Sequence, residues 1–334
     1  MADDFDDYVP DTGSGEATPE PISPNNPLKM GIVGHGFVGK AVEYAFLHDM
    51  IEHFLVDPNY GTSIDDLIAW RPSVVFICAP TPQNPESGFV DASIVEDAVL
   101  KLMHHTGALV VVKSTVTPDI IDRLYNSIEP QDFDRFIYNP EFLTEKSACE
   151  DFVNAEYHVL GGTTEACNDL AELYEIFSNC KSTTFYRMSG CEASFVKYAT
   201  NAYLATKLTF FNQLKDLVQS FDCSYNIVSR AVGADERIGV QHTRVPGPDK
   251  KKGFGGACLP KDTKALLKFS ETRGKDARFD LLENVLTINN EYRRMYELDQ
   301  REKVNNITFG DDNVDNGQTE EELEARLYGG NVGQ

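Results

Sequence analysis

The sequence lacks the features of membrane, secreted and metal-binding proteins. Its 334 residues contain no apolar run long enough to cross a membrane, which takes about 18 residues or more. Residues 1–27 have no Lys, no Arg and no apolar block, so no secretory signal is expected. The seven cysteines form no CxxC pair and no cluster with zinc spacing, so we expect no metal site. Their odd number fits reduced thiols and a cytoplasmic location.

Positive charge is scarce. The chain has 30 Lys and Arg against 53 Asp and Glu, for a formal net charge of −23. Residues 1–28 hold seven acids and no base, and residues 297–334 hold ten acids and three bases. We therefore expect a disordered acidic leader over 1–28 and a disordered acidic tail over 299–334. Because an acidic surface repels phosphate backbones, no nucleic-acid partner is expected.

The first half of the remaining chain alternates apolar runs with helical stretches. This pattern predicts an α/β fold, a doubly wound parallel sheet of the Rossmann type over residues 29–188. The predicted strands include Met30–Val33, His53–Val56, Val74–Cys78, Leu109–Val112, Arg135–Tyr138, Tyr157–Leu160 and Thr183–Tyr186.

The second half changes character. From residue 189 to residue 298 we predict an all-helical central domain that begins with one long helix, from Glu192 to about Gln219. Two further helices are predicted over Pro260–Thr272 and roughly Asp280–Leu298. A loop rich in Gly, Pro and Lys, residues 239–257, precedes them.

A glycine motif follows the first predicted strand. Gly34, Gly36 and Gly39 have the GxGxxG spacing, and a helix is predicted from Val38 to about His48. In a dinucleotide site the first glycine makes a tight turn, the second admits the pyrophosphate and the third lets helix and strand pack. Asp57 ends the second strand, where a carboxylate binds the ribose hydroxyl and repels a 2′-phosphate. The segment therefore predicts NAD rather than NADP.

A glycine-rich loop leads to Cys258. Pro260 suits the first turn of a helix, so Cys258 should lie at a helix N-terminus, where the dipole and nearby Lys261 would stabilise a thiolate. The composition is equally compatible with an inert cysteine at a helix cap. On the long helix Lys197 and Asn201 are four residues apart and share one face, which lies either in a cleft or at the surface.

Polar segments also follow other predicted strands. Ligands of doubly wound folds bind beyond the carboxyl ends of strands. Glu141, in the segment 139–143, is therefore placed where an acid or base could act. The same argument applies to Lys113-Ser114-Thr115-Val116 and to Pro80-Thr81-Pro82.

Taken in order, these motifs resemble one family. The segments GIVGHGFVG, APTP, STV, NPEFL, FVKYATNAYLATK, RIG, VPGPDKKKGFGGACLPKD and NNEYR span about residues 29–294. They resemble the UDP-glucose/GDP-mannose dehydrogenases, and most closely the members that act on UDP-glucose. The resemblance implies a four-electron oxidation, in which two NAD in succession convert the C6 alcohol of a nucleotide sugar to a carboxylate.

The resemblance also implies roles. Cys258 would be the nucleophile that forms a thiohemiacetal and then a thioester. Lys197 would stabilise the oxyanion, assisted by Asn201 and a water held by Asp262. Glu141 would act as general acid and base in thioester hydrolysis, and Thr115 would position water.

The binding residues follow from the same match. The expected cofactor-binding residues are Gly34, Gly36, Phe37, Val38, Gly39, Asp57, Pro80, Thr81 and Thr115. The expected substrate-binding residues are Glu141, Phe142, Leu143, Lys197, Asn201, Arg237, Phe254 and Gly255. Phe254 and Gly255 would hold the sugar through their main chain. Arg237 would reach the partner's substrate in a homodimer formed through the long helix. Lys250, Lys251 and Lys252 are either a solvated loop or a diphosphate contact.

Two departures from the family pattern keep alternatives open. Ser194 stands where the family usually has Glu, three residues before the lysine. About 40 residues follow NNEYR, without the βαβ pattern of the nucleotide-binding domain that usually ends the family's chains. The substrate could therefore be another sugar nucleotide, such as GDP-mannose or a UDP-HexNAc, or the chain could be a non-catalytic binding subunit. The β-hydroxyacid dehydrogenases share the Rossmann start and the long helix but use no cysteine nucleophile.

Overall fold

A seven-stranded sheet forms the centre of the first half of the protein. The computed structural model describes residues 26–310. The strands are β1 (Leu28–Val33), β2 (Ile51–Val56), β3 (Val74–Ile77), β4 (Leu109–Val112), β5 (Phe136–Tyr138), β6 (His158–Gly161) and β7 (Phe185–Met188). Their order in the sheet is β2-β1-β3-β4-β5-β6-β7. The chain leaves β1 to one side for β2 and crosses to the other side for β3. The switch point therefore lies between β1 and β3, where doubly wound folds bind ligands.

Helices cover both faces of this sheet, which confirms the predicted doubly wound α/β fold. They are α1 (Phe37–Ala45), α2 (Ile64–Trp70), α3 (Ser93–His105), α4 (Pro118–Ser127), α5 (Ala148–Val153) and α6 (Thr164–Phe177). On one face Ile77 packs in a cluster with residues of α2, α3 and α4. On the other, Phe76 packs in a cluster with residues of α1, α5 and α6. Because both faces of β3 are covered, its sequence Val-Val-Phe-Ile is apolar throughout.

The sheet is mixed, which differs from the predicted all-parallel arrangement. β5 and β6 pair antiparallel through Tyr138 and Gly161, whereas β6 and β7 are parallel to each other. A strand pairs parallel with the strand before it only when a crossover connection, usually a full helix, returns the chain to the end of the sheet where that first strand began. The connection from β5 to β6 contains only the six-residue α5 and one short 3₁₀ turn, so β6 runs back in the opposite direction.

The second half is helical, as expected. α7 (Gly190–Gln219) is the predicted long helix, and Ser189 and Glu192 form a capping box that fixes its start. It is followed by α8 (Tyr225–Gly233), α9 (Cys258–Glu271) and α10 (Asp280–Arg293). Tyr198 and Ala202 of α7 share a core cluster with Ala265, Leu266 and Phe269 of α9. α10 ends at Arg293, before the predicted end at Leu298.

The prediction of a disordered tail from residue 299 is wrong for residues 299–310. This stretch, which we call the return segment, contains α11 (Gln300–Val304) and buries Glu302, Ile307 and Phe309. The local composition does not indicate this burial, because a glutamate can be buried only when residues distant in the chain pair with it. Leu28, placed in the predicted leader, is the first residue of β1. The remainder of both acidic stretches lies outside the described residues.

The described helices include none with the length and hydropathy of a membrane span.

Candidate active site

A cleft opens at the carboxyl edge of the sheet beside the switch point. It has a volume of about 460 Å³. The predicted site residues that line it are Gly34, Gly36, Phe37, Val38, Asp57, Pro80, Thr81, Thr115, Glu141 and Cys258. The fold thus places the cysteine, at the start of α9, in the same cleft as the glycine turn after β1. These two features are more than 200 residues apart in the chain.

The three glycines of the turn have three different surroundings. Gly34 has φ +90°, and a Cβ there would lie 2.7 Å from the Cys78 carbonyl oxygen. A Cβ on Gly39 would overlap the carbonyl oxygen of Gly34. A Cβ on Gly36, in contrast, would meet nothing within 4 Å. Gly34 and Gly39 therefore shape the turn, and Gly36 leaves room for a ligand, as a pyrophosphate requires.

Asp57 lies at the end of β2 and supplies the negative charge expected beside the ribose of NAD. Its carboxylate accepts hydrogen bonds from the Asn59 main chain at 3.0 Å and from the His35 main chain at 2.9 Å. These bonds, from Asn59 first and then from His35, lower the pKa of Asp57. A carboxylate that stays ionised there repels a 2′-phosphate. The glycine turn and Asp57 together fit NAD.

Cys258 is the first residue of α9 and is partly buried. The expectation of a stabilised thiolate is wrong. Burial raises the pKa of the Cys258 thiol to about 11, and the Asp262 carboxylate adds to this, while Lys197 and Lys261 act in the opposite direction. Lys261 is itself paired with Asp262 at 2.6 Å, so its charge is largely offset. The resting side chain is a thiol, which needs a base before it can attack a carbonyl.

A buried ion pair joins Lys197 of α7 to Glu141. The Lys197 ammonium donates to the Glu141 main-chain oxygen at 2.6 Å and to its Oε1 at 3.1 Å. The two side chains are 3% and 6% exposed. Although burial lowers the pKa of Lys197, the Glu141 carboxylate, followed by Asp262 and Cys258, raises it overall. Lys197 is therefore a charged group inside the protein, and the alternative of an exposed helix lysine is excluded.

A second buried network holds Asn201 next to α9. Asn201 Nδ2 donates to Asp262 Oδ2 at 2.6 Å, and Lys261 Nζ donates to Asp262 Oδ1 at 2.6 Å. Asp262 has no exposed surface. Asp262 thereby orients the Asn201 amide and connects α7 to the helix that begins with Cys258.

Ser194, at the position where the family pattern has Glu, has a structural contact. Its hydroxyl donates to the Val116 main-chain oxygen at 2.7 Å, and the side chain is fully buried. This bond ties α7 to the loop that carries Thr115.

The sequence placed Lys113 beyond the end of a strand, as it did Glu141, but did not indicate that Lys113 contacts Asn139. Lys113 Nζ donates to the main-chain oxygen of Asn139 at 3.1 Å and to its Oδ1 at 2.9 Å. Burial lowers the pKa of Lys113 to about 8. The hydroxyl of Tyr174 also donates to Asn139 Oδ1, at 2.8 Å. This cluster fixes the turn that carries Glu141. Asn139 lies in the NPEFL motif and Lys113 directly precedes STV, but nothing in the local sequence indicates that the two side chains meet.

Three side chains that were not singled out from the sequence anchor the glycine-rich loop. The Gly253 N–H donates to Asn212 Oδ1 at 2.9 Å, and the Gly256 N–H donates to Glu302 Oε1 at 3.1 Å. Asn289 pairs with both the N–H and the carbonyl of Phe254. The Phe254 main chain, expected to hold the sugar, is thus occupied by Asn289 in this structure.

Three other residues expected to bind the substrate, Arg237, Phe142 and Leu143, do not line the cleft. The Arg237 side chain is 89% exposed and pairs with Asp235 at 2.6 Å. The Phe142 ring lies 5.4 Å from the Lys197 ammonium, and the Leu143 N–H donates to Glu141 Oε2 at 2.6 Å. Residues 250–252 were expected to be either a solvated loop or a diphosphate contact; here Lys251 donates to the Glu297 main-chain oxygen and Lys252 pairs with Asp216.

Comparison with known proteins identifies related domains. A family model described as the UDP-glucose/GDP-mannose dehydrogenase family, NAD binding domain, matches residues 59–180, and the same family's central domain matches residues 191–291. The UDP-glucose 6-dehydrogenase YwqF of Bacillus subtilis is 33% identical over 245 residues, which cover 71% of this chain and 52% of the relative. A UDP-glucose 6-dehydrogenase of Rhizobium meliloti is 34% identical over 230 residues, 66% of this chain and 51% of the relative. The chain thus spans about half the length of these relatives.

Solved structures have a similar fold. A UDP-glucose dehydrogenase from Pyrobaculum islandicum superimposes with a TM-score of 0.66 at 27% identity, over 85% of this chain and 70% of that one. A 3-hydroxyisobutyrate dehydrogenase from Mycobacterium tuberculosis superimposes with a TM-score of 0.61 over 80% of this chain and 94% of that one. At 14% identity the second likeness concerns the fold alone.

Proposed function

The chain belongs to the UDP-glucose/GDP-mannose dehydrogenase family, and from this premise we propose that it oxidises the C6 alcohol of UDP-glucose to a carboxylate with NAD. The observation that carries the proposal is the shared cleft. Cys258 and Glu141 line the same cavity as the open face of Gly36. One site thus contains a candidate nucleophile, a candidate acid or base and a glycine turn suited to a dinucleotide. UDP-glucose is preferred because the relatives at 33–34% identity bear that substrate in their names.

The cofactor residues fit NAD. The Gly34–Gly39 turn and the N-terminus of α1 would receive the pyrophosphate, and Asp57 would bind the ribose hydroxyls. Pro80, Thr81 and Thr115 line the remainder of that side of the cleft. When bound, NAD accepts one hydride in each of the two oxidations.

Cys258 supplies the covalent step between the two oxidations. Loss of a hydride and a proton converts the alcohol to an aldehyde. The sulfur of Cys258 then adds to the carbonyl carbon, and the thiohemiacetal loses a second hydride together with its hydroxyl proton to become a thioester. Because the pKa of the Cys258 thiol is raised to about 11, its proton must pass to a base as the S–C bond forms. Glu141 is the carboxylate that lines the cleft with it, and we assign it this proton transfer.

Lys197 and Asn201 stabilise the oxygen that becomes negative. Burial lowers the pKa of Lys197, but the Glu141 carboxylate raises it overall, so the ammonium is charged when the substrate binds. Asp262 holds the Asn201 amide by accepting one of its protons. Water positioned by Thr115 then attacks the thioester carbon, the C–S bond breaks, and the products are the sugar carboxylate and the free thiol.

We further propose a homodimer formed through α7. Tyr203, Phe210 and Leu217 are spaced seven residues apart on this helix, and each is 58–62% exposed. Side chains at that spacing lie along one face, and an exposed apolar stripe of this kind marks an interaction surface. The exposed Arg237, beyond the end of α8, would be available to the partner's substrate.

The test is to follow NADH formation with UDP-glucose and NAD and to measure the sugar acid that forms. The mechanism requires about two NADH per acid formed. Cys258→Ser should abolish acid formation, whereas Cys223→Ser, at an exposed cysteine remote from the cleft, should retain it. Acid formation by Cys258→Ser at the wild-type rate would exclude the covalent step. Turnover of GDP-mannose or a UDP-HexNAc alone would change the substrate, and NAD binding without turnover of any sugar nucleotide would favour a binding subunit.

A further inference from the structure

The return segment lies against the site although it is outside the family match. The central-domain model ends at residue 291, and the return segment begins at Asp299. After α10 the chain turns back, and α11 contacts the glycine-rich loop through Glu302. The two asparagines that anchor this loop, Asn212 and Asn289, lie on helices inside the match. The third anchor, Glu302, lies on α11.

Glu302 is a buried carboxylate with a full set of donors. It has no exposed surface. Its Oε1 accepts from the Gly256 N–H at 3.1 Å and from Arg293 at 2.6 Å, and its Oε2 accepts from the Asp299 N–H at 2.8 Å. A carboxylate is tolerated in such a place only when paired in this way. Glu302 therefore has one defined position, fixed by α10 and by its own helix.

The bond to Gly256 acts on the approach to Cys258. Gly256 has φ +81°, a left-handed conformation that strongly favours glycine, and only Ala257 separates it from Cys258. A hydrogen bond to its N–H restrains the loop at the residue where the chain turns into α9. The direction in which the Cys258 side chain enters the cleft follows from this turn.

The return segment also closes one side of the cofactor cleft. Val304 and Asn305 belong to its lining. The Gln83 N–H donates to the Asn305 carbonyl at 3.3 Å, and Asn306 Nδ2 donates to the Gln83 carbonyl at 3.0 Å. Gln83 follows the Pro80–Pro82 stretch that lines the same cleft. The segment therefore connects the cysteine loop with the NAD-binding half.

We propose that Glu302 is a positioning residue for Cys258, which it holds in the reactive geometry through the Gly256 N–H. The proposal rests on the dehydrogenase function proposed above. Glu302 touches neither of the reacting groups, and its effect passes through the main chain of residues 256–258. A displacement of about 1 Å in a reacting group can cost on the order of a hundredfold in rate.

Three variants separate positioning from simple stability. Glu302→Gln removes the charge but keeps an oxygen that accepts from Gly256 and Arg293. Glu302→Met removes the charge and the acceptor. The double variant Arg293→Met, Glu302→Met also removes the buried cation, and with it the 2.6 Å ion pair between Arg293 and the part-exposed Asp249, so it leaves no unpaired charge fully buried. Lys303→Ala, at an exposed position of the same helix, is the control.

Two readouts are measured on the full chain. The first is the rate of Cys258 alkylation by iodoacetamide, resolved by mass spectrometry, and the second is kcat and KM for NAD with UDP-glucose. In the double variant we expect alkylation to accelerate and kcat to fall, each by at least about tenfold, with a smaller change in KM. Glu302→Gln and Lys303→Ala should stay within about threefold of the wild type in both readouts.

Equal behaviour of Glu302→Gln and the double variant would overturn the proposal, because the Gly256 acceptor would then have no effect. A lower melting temperature with unchanged alkylation and kcat would overturn it too, since Glu302 would be only structural. If the wild type oxidises no sugar nucleotide, the alkylation rates alone decide, so failure of the proposed function is distinguishable from failure of the positioning role.

Discussion

Replacing Lys197 with Met would leave the Glu141 carboxylate buried without its cation. The two side chains are 3% and 6% exposed, so water cannot compensate for the loss. Breaking a buried pair from one side costs about 3–5 kcal/mol, whereas replacing both members is often close to neutral. At roughly 2–3 °C per kcal/mol for a chain of this size, we expect Lys197→Met to lower the melting temperature by about 6–15 °C. The double variant Glu141→Gln, Lys197→Met should lose less than half of that.

The same pair predicts a dependence on pH. The pKa of Lys197 is lowered by burial but raised overall above 10.5 by Glu141, Asp262 and Cys258. A lysine whose pKa is higher in the folded state contributes its full stabilisation below the unfolded value and loses it as the pH rises through the folded value. The advantage of the wild type over the double variant should therefore be constant from neutral pH up to pH 10.5 and shrink above it.

Differential scanning fluorimetry of the wild type, both single variants and the double variant measures this coupling as a double-mutant cycle. Lys181→Met, at an exposed lysine, is the control and should change the melting temperature little. If Lys197→Met melts within about 1 °C of the wild type, or if the double variant loses the sum of both single losses, the ion pair does not stabilise the site as described.

Four other outcomes are expected. Gly36→Val should fold normally, because a Cβ at this position meets nothing within 4 Å, but calorimetry should show a loss of NAD binding. Gly39→Val should be unstable. Normal NAD binding by Gly36→Val would contradict the assigned pyrophosphate site. Asp57→Ser should raise the kcat/KM ratio of NADP to NAD by at least about tenfold, or ~1.4 kcal/mol, and an unchanged ratio would remove Asp57 from the ribose site. Alkylation of Cys258 in the wild type should be slow at pH 7 and increase up to about pH 11, the value to which burial and then Asp262 raise its pKa; a plateau below pH 9 would contradict the buried thiol. Phe210→Asp should give a monomer by light scattering if α7 forms the dimer, and an unchanged mass would remove α7 from the interface.

Local sequence signals predicted most of the fold. The strand runs are apolar because both faces of the sheet are covered, as the burial of all four residues of β3 shows. The start of α7 is readable because Ser189 and Glu192 form a capping box within four residues. The close approach at Gly39 is equally local, since it is to Gly34 in the same turn, whereas the space around Gly34 is also limited by Cys78 after β3. The direction of β6 was missed because pairing direction depends on the path of the connection.

The residues that could do the chemistry were identifiable from the chain alone, but their protonation states and their hydrogen-bond partners depend on the folded arrangement. Spacing placed Lys197 and Asn201 on one helix face, but burial and the approach of Glu141 and Asp262 fix their charges and partners. The expected thiolate of Cys258 failed for the same reason, because burial outweighs nearby cations and no local pattern measures burial. Glu302 looked like part of a solvated acidic tail until Arg293 and Gly256 supplied its donors. Helix caps and tight turns involve only a few neighbouring residues, so local sequence patterns predict them. Desolvation and ion pairing depend on groups that only the folded chain brings together.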